Sequence, residues 1–323
     1  MDRETALEIY QGTVSERITR FQETIGAYVL EYAEELEAMV RSAADLLGEQ
    51  MKKQGKESVC FLYFSILKAD LLNRKYRLML HGLDARWYLD EEPVEVYVDA
   101  KDLLSPLDKL WNDLAEAGQG YGGAVNSYDI QNMIFDQMPI FDCAVSQVLR
   151  YRLREWEKKG IFGNMTLPPS WILKWGQYRD QTEMLLRTDR AEKEEGFWSE
   201  EIARAKRKPD QMMFGYWYKG TYQDSSLEDL DLRFITFEEA GIKKVNFQNC
   251  NMEGSRFIRC TLTDCTFEGC SLWGADFRGC RFEHTSFDRA ELTAAVFPAE
   301  SVPFLGISAE QLQVIGLDRG EEA

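Results

Sequence analysis

The stretch CSLWGADFRGC, residues 270–280, lies within a run that carries a bulky apolar residue at every fifth position. Neither an α-helix, with a period of about 3.6, nor a strand, with a period of about 2, produces this spacing. A fixed repeat of this kind is typical of a solenoid, and it predicts one for the C-terminal third of the chain. The fifteen residues of the run are Leu227, Leu232, Phe237, Ile242, Phe247, Met252, Phe257, Leu262, Phe267, Leu272, Phe277, Phe282, Phe287, Leu292 and Phe297.

A second register, two residues before each bulky one, is mostly small. A large and a small side chain on the same side of the backbone suit an extended segment that points both inward. Glycines recur in a third register, where a turn needs backbone angles that other residues resist. These glycines are Gly254, Gly269, Gly274 and Gly279.

The repeat units CSLWG (270–274), ADFRG (275–279) and AELTA (290–294) make residues 225–299 resemble a pentapeptide-repeat domain. The resemblance implies a right-handed, quadrilateral β-helix with one repeat per side and four repeats per coil. Neighbouring coils then lie about 4.8 Å apart, so nearly four coils give a rod of about 20 Å.

Four repeats per coil would stack residues that lie twenty apart. Two opposed columns of phenylalanines then fill the solenoid core: Phe237, Phe257, Phe277 and Phe297 in one, and Phe247, Phe267 and Phe287 in the other. Five cysteines occupy the small register, at Cys250, Cys260, Cys265, Cys270 and Cys280. A metal or redox site is one interpretation, but spacings of ten or twenty match no usual zinc pattern. We interpret them as small buried packing residues.

The 323 residues suffice for two domains, and we predict an α+β chain with three segments. Residues 1–222 form a mainly helical domain of no recognised family, residues 223–299 the β-helix, and residues 300–323 a C-terminal cap. A capping box at Ser308–Gln311 opens a short helix with Leu312 and Ile315 inward. This helix either covers the open solenoid end or pairs two copies of the chain.

The helical domain is predicted to begin with one long amphipathic helix from Thr13 to Leu46, with a phase slip near Leu36. A bundle core is its expected use, with a coiled-coil partner as the alternative. Val94–Val98 is the one strand candidate. Further helices are predicted at Val59–Leu80, Ser105–Gly118, Ser127–Gln137, Phe141–Lys159, Ser170–Arg187 and Ser199–Arg207.

Catalytic signatures are scarce, so we expect no enzyme. The two histidines, His81 after a helix and His284 at an outward corner, suggest neither a triad nor a metal pair. The loop GQGYGG (118–123) lacks the Lys-Ser/Thr ending of a phosphate cradle. Asp90–Glu92 is interpreted as a solvated turn. We expect no catalytic residue, no cofactor and no metal site.

The net charge of −17 makes nucleic-acid binding through a basic surface a poor hypothesis. A basic segment at Ala205–Lys208 reads as a helix end, with a nucleic-acid patch as the weaker alternative. The N-terminal MDRETALEIY has no signal-peptide pattern, and no apolar run suggests a membrane span. Seven cysteines are not a secreted disulfide framework, so a soluble cytoplasmic protein is expected.

The outer face of the solenoid offers candidate contact residues. Trp273 and Ile258 occupy outward positions where polar residues are expected, and Arg278 lies beside them. This face is either free for a partner or covered by the helical domain. A second face carries an acidic column broken by Gln248, which solvation explains; it consists of Glu228, Glu268 and Asp288.

Three functions remain open on the sequence. The first is a protein that binds another protein, or a scaffold, with the solenoid as a rigid spacer. The second follows from the resemblance: some pentapeptide-repeat proteins mimic DNA and protect type II topoisomerases such as gyrase, but those need a longer rod. The third is an uncharacterised enzymatic activity in the helical domain. A homodimer through the C-terminal helix or the long N-terminal helix is an additional expectation.

Overall fold

The computed structural model describes residues 2–320, which form two compact units that divide between Leu186 and Arg187. The first unit combines helices with one five-stranded sheet. Its elements in chain order are α1 (Arg3–Glu31), α2 (Ala33–Gln54), β1 (Phe61–Ile66), α3 (Lys68–Leu72), β2 (Arg77–Leu83), β3 (Val94–Asp99), α4 (Ser105–Gly118), α5 (Ser127–Lys158), β4 (Ser170–Gln177) and β5 (Thr182–Asp189).

The long N-terminal helix begins earlier than predicted and is broken. Asp2 caps α1 by accepting a hydrogen bond from the Thr5 amide at 2.8 Å, so the helix does not begin at Thr13. The chain leaves helical geometry at Tyr32 (φ −81°, ψ 9°), where α2 follows. The break accommodates the phase slip, because each helix can then turn its own apolar face inward. The two faces bury Val14, Phe21 and Ile25 from α1, and Leu36, Val40 and Leu47 from α2. Both apolar faces are therefore buried in a core, but that core is not a pure helix bundle, because α2 packs mainly on strands β3 and β2.

The helices predicted at Val59–Leu80 and Ser170–Arg187 are wrong. The first segment forms β1, α3 and β2, and the second forms β4 and β5. Strands of the sheet follow the order β3-β2-β1-β4-β5, with β1 antiparallel to β2 and parallel to β4. Short apolar runs such as FLYFSI do not distinguish a buried strand from a helix by periodicity.

Other helix predictions are confirmed. The helices predicted at 105–118 and 199–207 appear as α4 and, in the second unit, as α6 (Phe197–Ala205). The two helices predicted around residues 127–159 are one continuous helix, α5, which contains Pro139. The strand predicted at Val94–Val98 is β3.

The sheet of the first unit has two different faces. Leu62, Phe64 and Ile66 of β1 join the core that also contains the apolar faces of α1, α2, α4 and α5. The alternate residues Tyr63 and Ser65 therefore lie on the opposite face. One face of the sheet is packed on helices, and the other is lined by aromatic and polar side chains.

The second unit is the predicted β-solenoid, of about five turns in residues 216–318. After α6 its elements are β6 (Tyr216–Tyr218), β7 (Thr221–Glu228), β8 (Thr236–Glu238), β9 (Gly241–Gln248), β10 (Arg256–Ile258), β11 (Thr261–Thr263), β12 (Thr266–Glu268), β13 (Arg281–Glu283), β14 (Val296–Pro298), α7 (Ala309–Leu312) and β15 (Gly316–Asp318). All strand pairs in the solenoid are parallel, and partners lie twenty residues apart, as in Phe237 opposite Phe257.

The phenylalanine columns form as predicted, and all seven rings are at most 1% exposed. Phe267 stacks on Phe247 and on Phe287 with ring centroids 4.9 Å apart in both pairs. Phe277 stacks on Phe257 at 4.6 Å and meets Phe267 edge-on at 5.9 Å. The rings are thus stacked along each column, and from Phe257 to Phe297 each is also contacted edge-on by the opposed column, which fills the coil without a lumen.

The solenoid is longer than the sequence count of nearly four coils. Trp217 pairs with Phe237 at the start, and Leu317 pairs with Phe297 at the end. Gly215 before Trp217 and Gly220 before Tyr222 continue the small–large alternation backwards, so the signal was present in the sequence. The final coil has no such signal, because a loop and α7 interrupt the five-residue spacing before Leu317.

Each side of the coil ends at a residue in the left-handed backbone region. Glycine fills this position at Gly254 (φ 61°) and Gly274 (φ 62°), as the third register predicts. Other residues fill it elsewhere, for example Asn249 at φ 51°. The left-handed geometry turns the chain through each corner, where Asp and Asn are tolerated better than bulky residues.

The cysteines of the repeat are buried, with free thiols, as packing residues should be. Cys260 directs its Sγ to the Phe237 carbonyl of the preceding coil at 3.3 Å, and Cys280 does the same to Phe257 at 3.0 Å. Within residues 2–320, no group of His, Cys, Asp and Glu is arranged to hold a metal ion.

We predict that Phe267→Ala destabilises the solenoid by about 3–5 kcal/mol, because it leaves a cavity between two stacked rings. Tyr128→Ala is the matched control, since its ring is 66% exposed, and it should change stability by less than about 0.5 kcal/mol. Urea unfolding followed by circular dichroism measures both. Equal unfolding midpoints for the two variants would contradict the assigned core.

Candidate functional site

The outward residues singled out in the sequence fall on two adjacent sides of the coil. Ile258 lies in β10 opposite Glu238, and the register that pairs Arg256 with Asp276 places Arg278 beside Ile258 in the next coil. Trp273 lies on the preceding side, one corner away. Its indole is 40% exposed.

Arg278 has a carboxylate partner on its own side of the coil. Its guanidinium donates to Asp276 through Nε at 2.9 Å and Nη2 at 2.7 Å. Asp276 is 7% exposed, so this ion pair fixes the arginine against the wall of the coil. Arg278 therefore presents a held cation on the side of the coil that follows the side carrying Trp273.

The acidic column lies on the side that carries Phe247, Phe267 and Phe287. In the strand pairing, Gln248 lies opposite Glu228 of the preceding coil and opposite Glu268 of the following coil. Arg289 forms ion pairs with Glu268 and with Asp288, which is 3.7 Å away. The negative charge of this face is therefore partly neutralised by its own arginine.

The N-terminal end of the solenoid is closed by Trp198 of α6. Its ring meets Trp217 edge-on at 4.8 Å and lies 5.3 Å from Tyr222. The indole nitrogen donates to Ser225 Oγ at 3.0 Å, so its polar atom is satisfied. The sequence reasoning did not assign this role, because α6 lies outside the repeat.

The C-terminal end is closed differently from the prediction. The capping box at Ser308 is present, and the Gln311 amide donates to the carbonyls of Phe287 and Ala290 at 3.1 and 2.8 Å. Leu312 is 46% exposed, so its predicted inward position is wrong; Ile315 does pack against the core. The reason is that Gln311 and the added strand β15 cover the last coil, and α7 is only a single turn.

The remaining ionisable candidates lie in the first unit. His81 is in strand β2 rather than after a helix, and it is 9% exposed. Burial lowers its pKa to about 4, so the imidazole is neutral at pH 7. Within residues 2–320, neither Ser65 Oγ nor His81 Nδ1 has a hydrogen-bond partner, so the two do not form a nucleophile–base pair.

Asp90 is not part of a solvated turn. Its side chain is fully buried, and its oxygens accept from Lys56 Nζ at 2.6 and 2.7 Å and from the backbone amides of Asp84 and Glu92. Burial acts to raise the pKa of Asp90, but the Lys56 and amide hydrogen bonds outweigh it and hold the pKa below its ordinary value. The carboxylate fixes the loop between β2 and β3. His284, by contrast, is exposed as expected.

No helix in residues 2–320 is both long and apolar enough to cross a bilayer.

Stacked five-residue sides, a filled core and left-handed corners define a four-sided β-solenoid of short repeats. Residues 217–298 match the family model for the pentapeptide repeat region, and the N-terminal part matches none. No curated protein matches the chain.

Solved structures that show some similarity to this chain include the following three. A trypsin-treated variant of QnrB1, a plasmid-mediated fluoroquinolone resistance protein, is 14% identical with a TM-score of 0.16, over 32% of this chain and 65% of that chain. A second QnrB1 variant is 14% identical with a TM-score of 0.13, over 25% of this chain and 60% of that one. A pentapeptide repeat protein from the Arabidopsis thaliana thylakoid lumen is 16% identical with a TM-score of 0.11, over 34% of this chain and 83% of that chain.

We predict that His81 destabilises the fold as pH falls from about 6.5 to 4. The unfolded chain binds a proton at the ordinary pKa of 6.5 and the folded chain only near 4, so the native state loses up to about 3 kcal/mol across this window. Urea unfolding of the wild type and His81→Phe at several pH values measures the difference.

The wild type is compared with His81→Phe because protonation of Asp142 changes the free energy of unfolding in the opposite direction. Burial raises the pKa of Asp142 to about 6, against hydrogen bonds from Gln177 and Trp175 that lower it, so this group favours the folded state as pH falls. Asp142 is present in both proteins and cancels in the difference. If the free energy of unfolding depended on pH in the same way in the wild type and in His81→Phe, His81 would not be the buried neutral group.

Proposed function

We propose that this chain is a non-catalytic protein-binding protein, and that its pentapeptide-repeat solenoid is a rigid surface for a partner protein. The observation that carries the proposal is the filled interior of the solenoid. Its columns of Phe, Leu and Cys leave no lumen, so recognition must take place on the outer faces.

Trp273 is the proposed centre of the contact. Exposed tryptophans and arginines dominate binding energy at protein interfaces when a partner desolvates them. The backbone beneath Trp273 is held by the neighbouring coil, since the Trp273 carbonyl accepts from the Gly254 amide at 2.8 Å. A contact residue on such a support loses little conformational freedom on binding.

The alternative of a DNA mimic that binds gyrase is less well supported. A mimic needs a continuous negative surface, but Gln248 interrupts the acidic column and Arg289 pairs with Glu268. On a second side, Arg259 pairs with Glu239 at 2.7 Å. The charge pattern thus favours an ordinary protein contact.

We place the chain in a reducing compartment such as the cytoplasm. All seven cysteines carry free thiols, and five of them are buried in the solenoid. Reduced thiols in this number are typical of intracellular proteins.

We also propose that two copies pair through the C-terminal end of the solenoid. Strand β15 pairs with β14 on one side, and within residues 2–320 no strand pairs with its other edge. Unpaired edges and apolar patches favour association. The apolar residues exposed in this segment are Phe304 (84%), Leu317 (48%), Leu312 (46%) and Val314 (41%).

Trp273→Ala is expected to reduce capture of the partner by about tenfold or more, because it removes the main buried aromatic of the contact. Purified chain on beads, exposed to host extract and analysed by mass spectrometry, identifies proteins retained by the wild type but not by the variant. The matched control is His284→Ala, an exposed ring on another side of the coil, which should retain the same proteins. A profile unchanged by Trp273→Ala would refute the proposed contact.

Val314→Asp and Leu317→Asp should convert a dimer into a monomer, since each places a charge in the pairing surface. Sedimentation velocity at micromolar concentration measures the mass. Ile9→Asp is the control, because Ile9 is a 50% exposed apolar residue on α1, and it should leave the dimer intact. A monomeric wild type would exclude pairing.

A further inference from the structure

The first unit contains a cleft on the sheet face that lies opposite the helices. Its volume is about 530 Å³, within the roughly 300–1,000 Å³ of small-molecule sites. Strands β1 and β2 form its floor with Tyr63, Ser65 and His81. Its walls come from the loop after β2, which carries Trp87 and Tyr88, and from the turn after β4.

Aromatic rings dominate this cleft. The rings of Tyr63 and His81 stack with centroids 4.9 Å apart and planes at 11°, and Tyr178 meets His81 edge-on at 5.7 Å. Trp87 stacks on Tyr88 at 4.3 Å. Trp87 is 42% and Tyr88 is 69% exposed, so the wall presents aromatic surface to solvent.

Two polar atoms at the floor are unsatisfied. Ser65 is 1% and His81 is 9% exposed, and neither Ser65 Oγ nor His81 Nδ1 has a hydrogen-bond partner within the described residues. A buried polar atom without a partner is costly, and native structures retain few of them. Both residues line the same cleft, but these two atoms are covered by neighbouring atoms, so a bound molecule supplies the missing hydrogen bonds only after those neighbours shift.

The wall is held in a strained backbone. Trp87 has φ of 56°, in the left-handed region that a bulky residue rarely occupies. Its indole nitrogen donates to the Tyr63 hydroxyl at 2.8 Å, and this bond ties the wall to the floor. Strain of this kind is concentrated at functional sites, where it fixes a side chain in place.

Charges at the cleft nearly cancel. Asp90 is bound by Lys56, and Asp180 is bound by Lys68 at 2.7 Å. The remaining charged lining residues are Glu95 and Arg179, one of each sign. The neutral imidazole of His81 adds no charge at pH 7. The cleft therefore offers no excess positive charge to a phosphate.

We propose that this cleft binds an uncharged heteroaromatic ring of the nucleoside class. The ring stacks on the Trp87–Tyr88 wall, and its polar edge bonds Ser65 Oγ and His81 Nδ1. A planar base presents a few donors and acceptors on one edge, which matches the two unsatisfied atoms. A sugar alone carries hydroxyls around its whole rim and needs more polar partners than the floor supplies.

Isothermal titration of the full chain with adenosine, guanosine, cytidine and uridine tests the proposal. We expect at least one nucleoside to bind at micromolar to millimolar concentration. Tyr88→Ala should weaken binding by about tenfold or more, the effect of removing one stacking ring. His81→Phe keeps the ring and removes the polar atom, so it should weaken binding as well.

Tyr128→Ala is the matched control, because Tyr128 is a 66% exposed tyrosine on α5 that does not line the cleft. Tyr128→Ala should bind nucleosides with the affinity of the wild type.

Tyr88→Ala removes an exposed ring, so this variant tests the proposal even where His81→Phe fails to fold. AMP should bind no tighter than adenosine, since no spare cation meets its phosphate.

Three results would overturn the proposal: no heat from any nucleoside at millimolar concentration, equal affinity in wild type and Tyr88→Ala, or binding of maltose without binding of nucleosides. Tighter binding of AMP than of adenosine would overturn the statement that the ligand is uncharged. Loss of partner capture by Trp273→Ala is independent of all these outcomes.

Discussion

The second unit depends on the close fit between a five-residue side and the cross-section of the coil. Each side has room for one large inward side chain, and the next coil repeats it twenty residues later, so Phe267 is stacked between Phe247 and Phe287 at 4.9 Å on both sides. Stacked and edge-on aromatic contacts each add about 0.5–1.5 kcal/mol beyond burial. Because the interior is filled in this way, the chemistry available to a partner is confined to the outer positions and the two ends.

The ends show how that constraint is completed by residues outside the repeat. Trp198 of α6 covers the first coil, and its indole is satisfied by Ser225. At the other end, the Gln311 side-chain amide donates hydrogen bonds to two carbonyls of the last turn, and β15 adds one more strand that pairs with β14. The C-terminal closure leaves apolar side chains in solvent, and this difference between the ends is the basis for the proposed pairing.

The first unit follows a different rule: one face of its sheet packs on helices, and the other is buried beneath side chains of the loops that form the cleft. Leu62 and Phe64 pack against helices, while Tyr63 and Ser65 on the same strand face the aromatic cleft. The sequence offers no motif partner for His81, and only the structure places it in a buried position beside a cleft. The sequence predicts a solvated turn at Asp90, but Lys56, distant in sequence, pairs with its buried carboxylate. Neither environment is encoded by neighbouring residues.

The sequence by itself determined the solenoid, its phenylalanine columns and its packing cysteines, because each repeat contacts only residues at a fixed spacing of twenty. It also determined helices with strong capping or amphipathic patterns, such as α4. Only the tertiary structure decided that FLYFSI and RLMLHGL are paired strands, since a short buried apolar run satisfies either a helix or a sheet until its partner is known. The cleft around His81 has the same origin: its walls come from segments that long-range strand pairing, rather than local sequence, brings together.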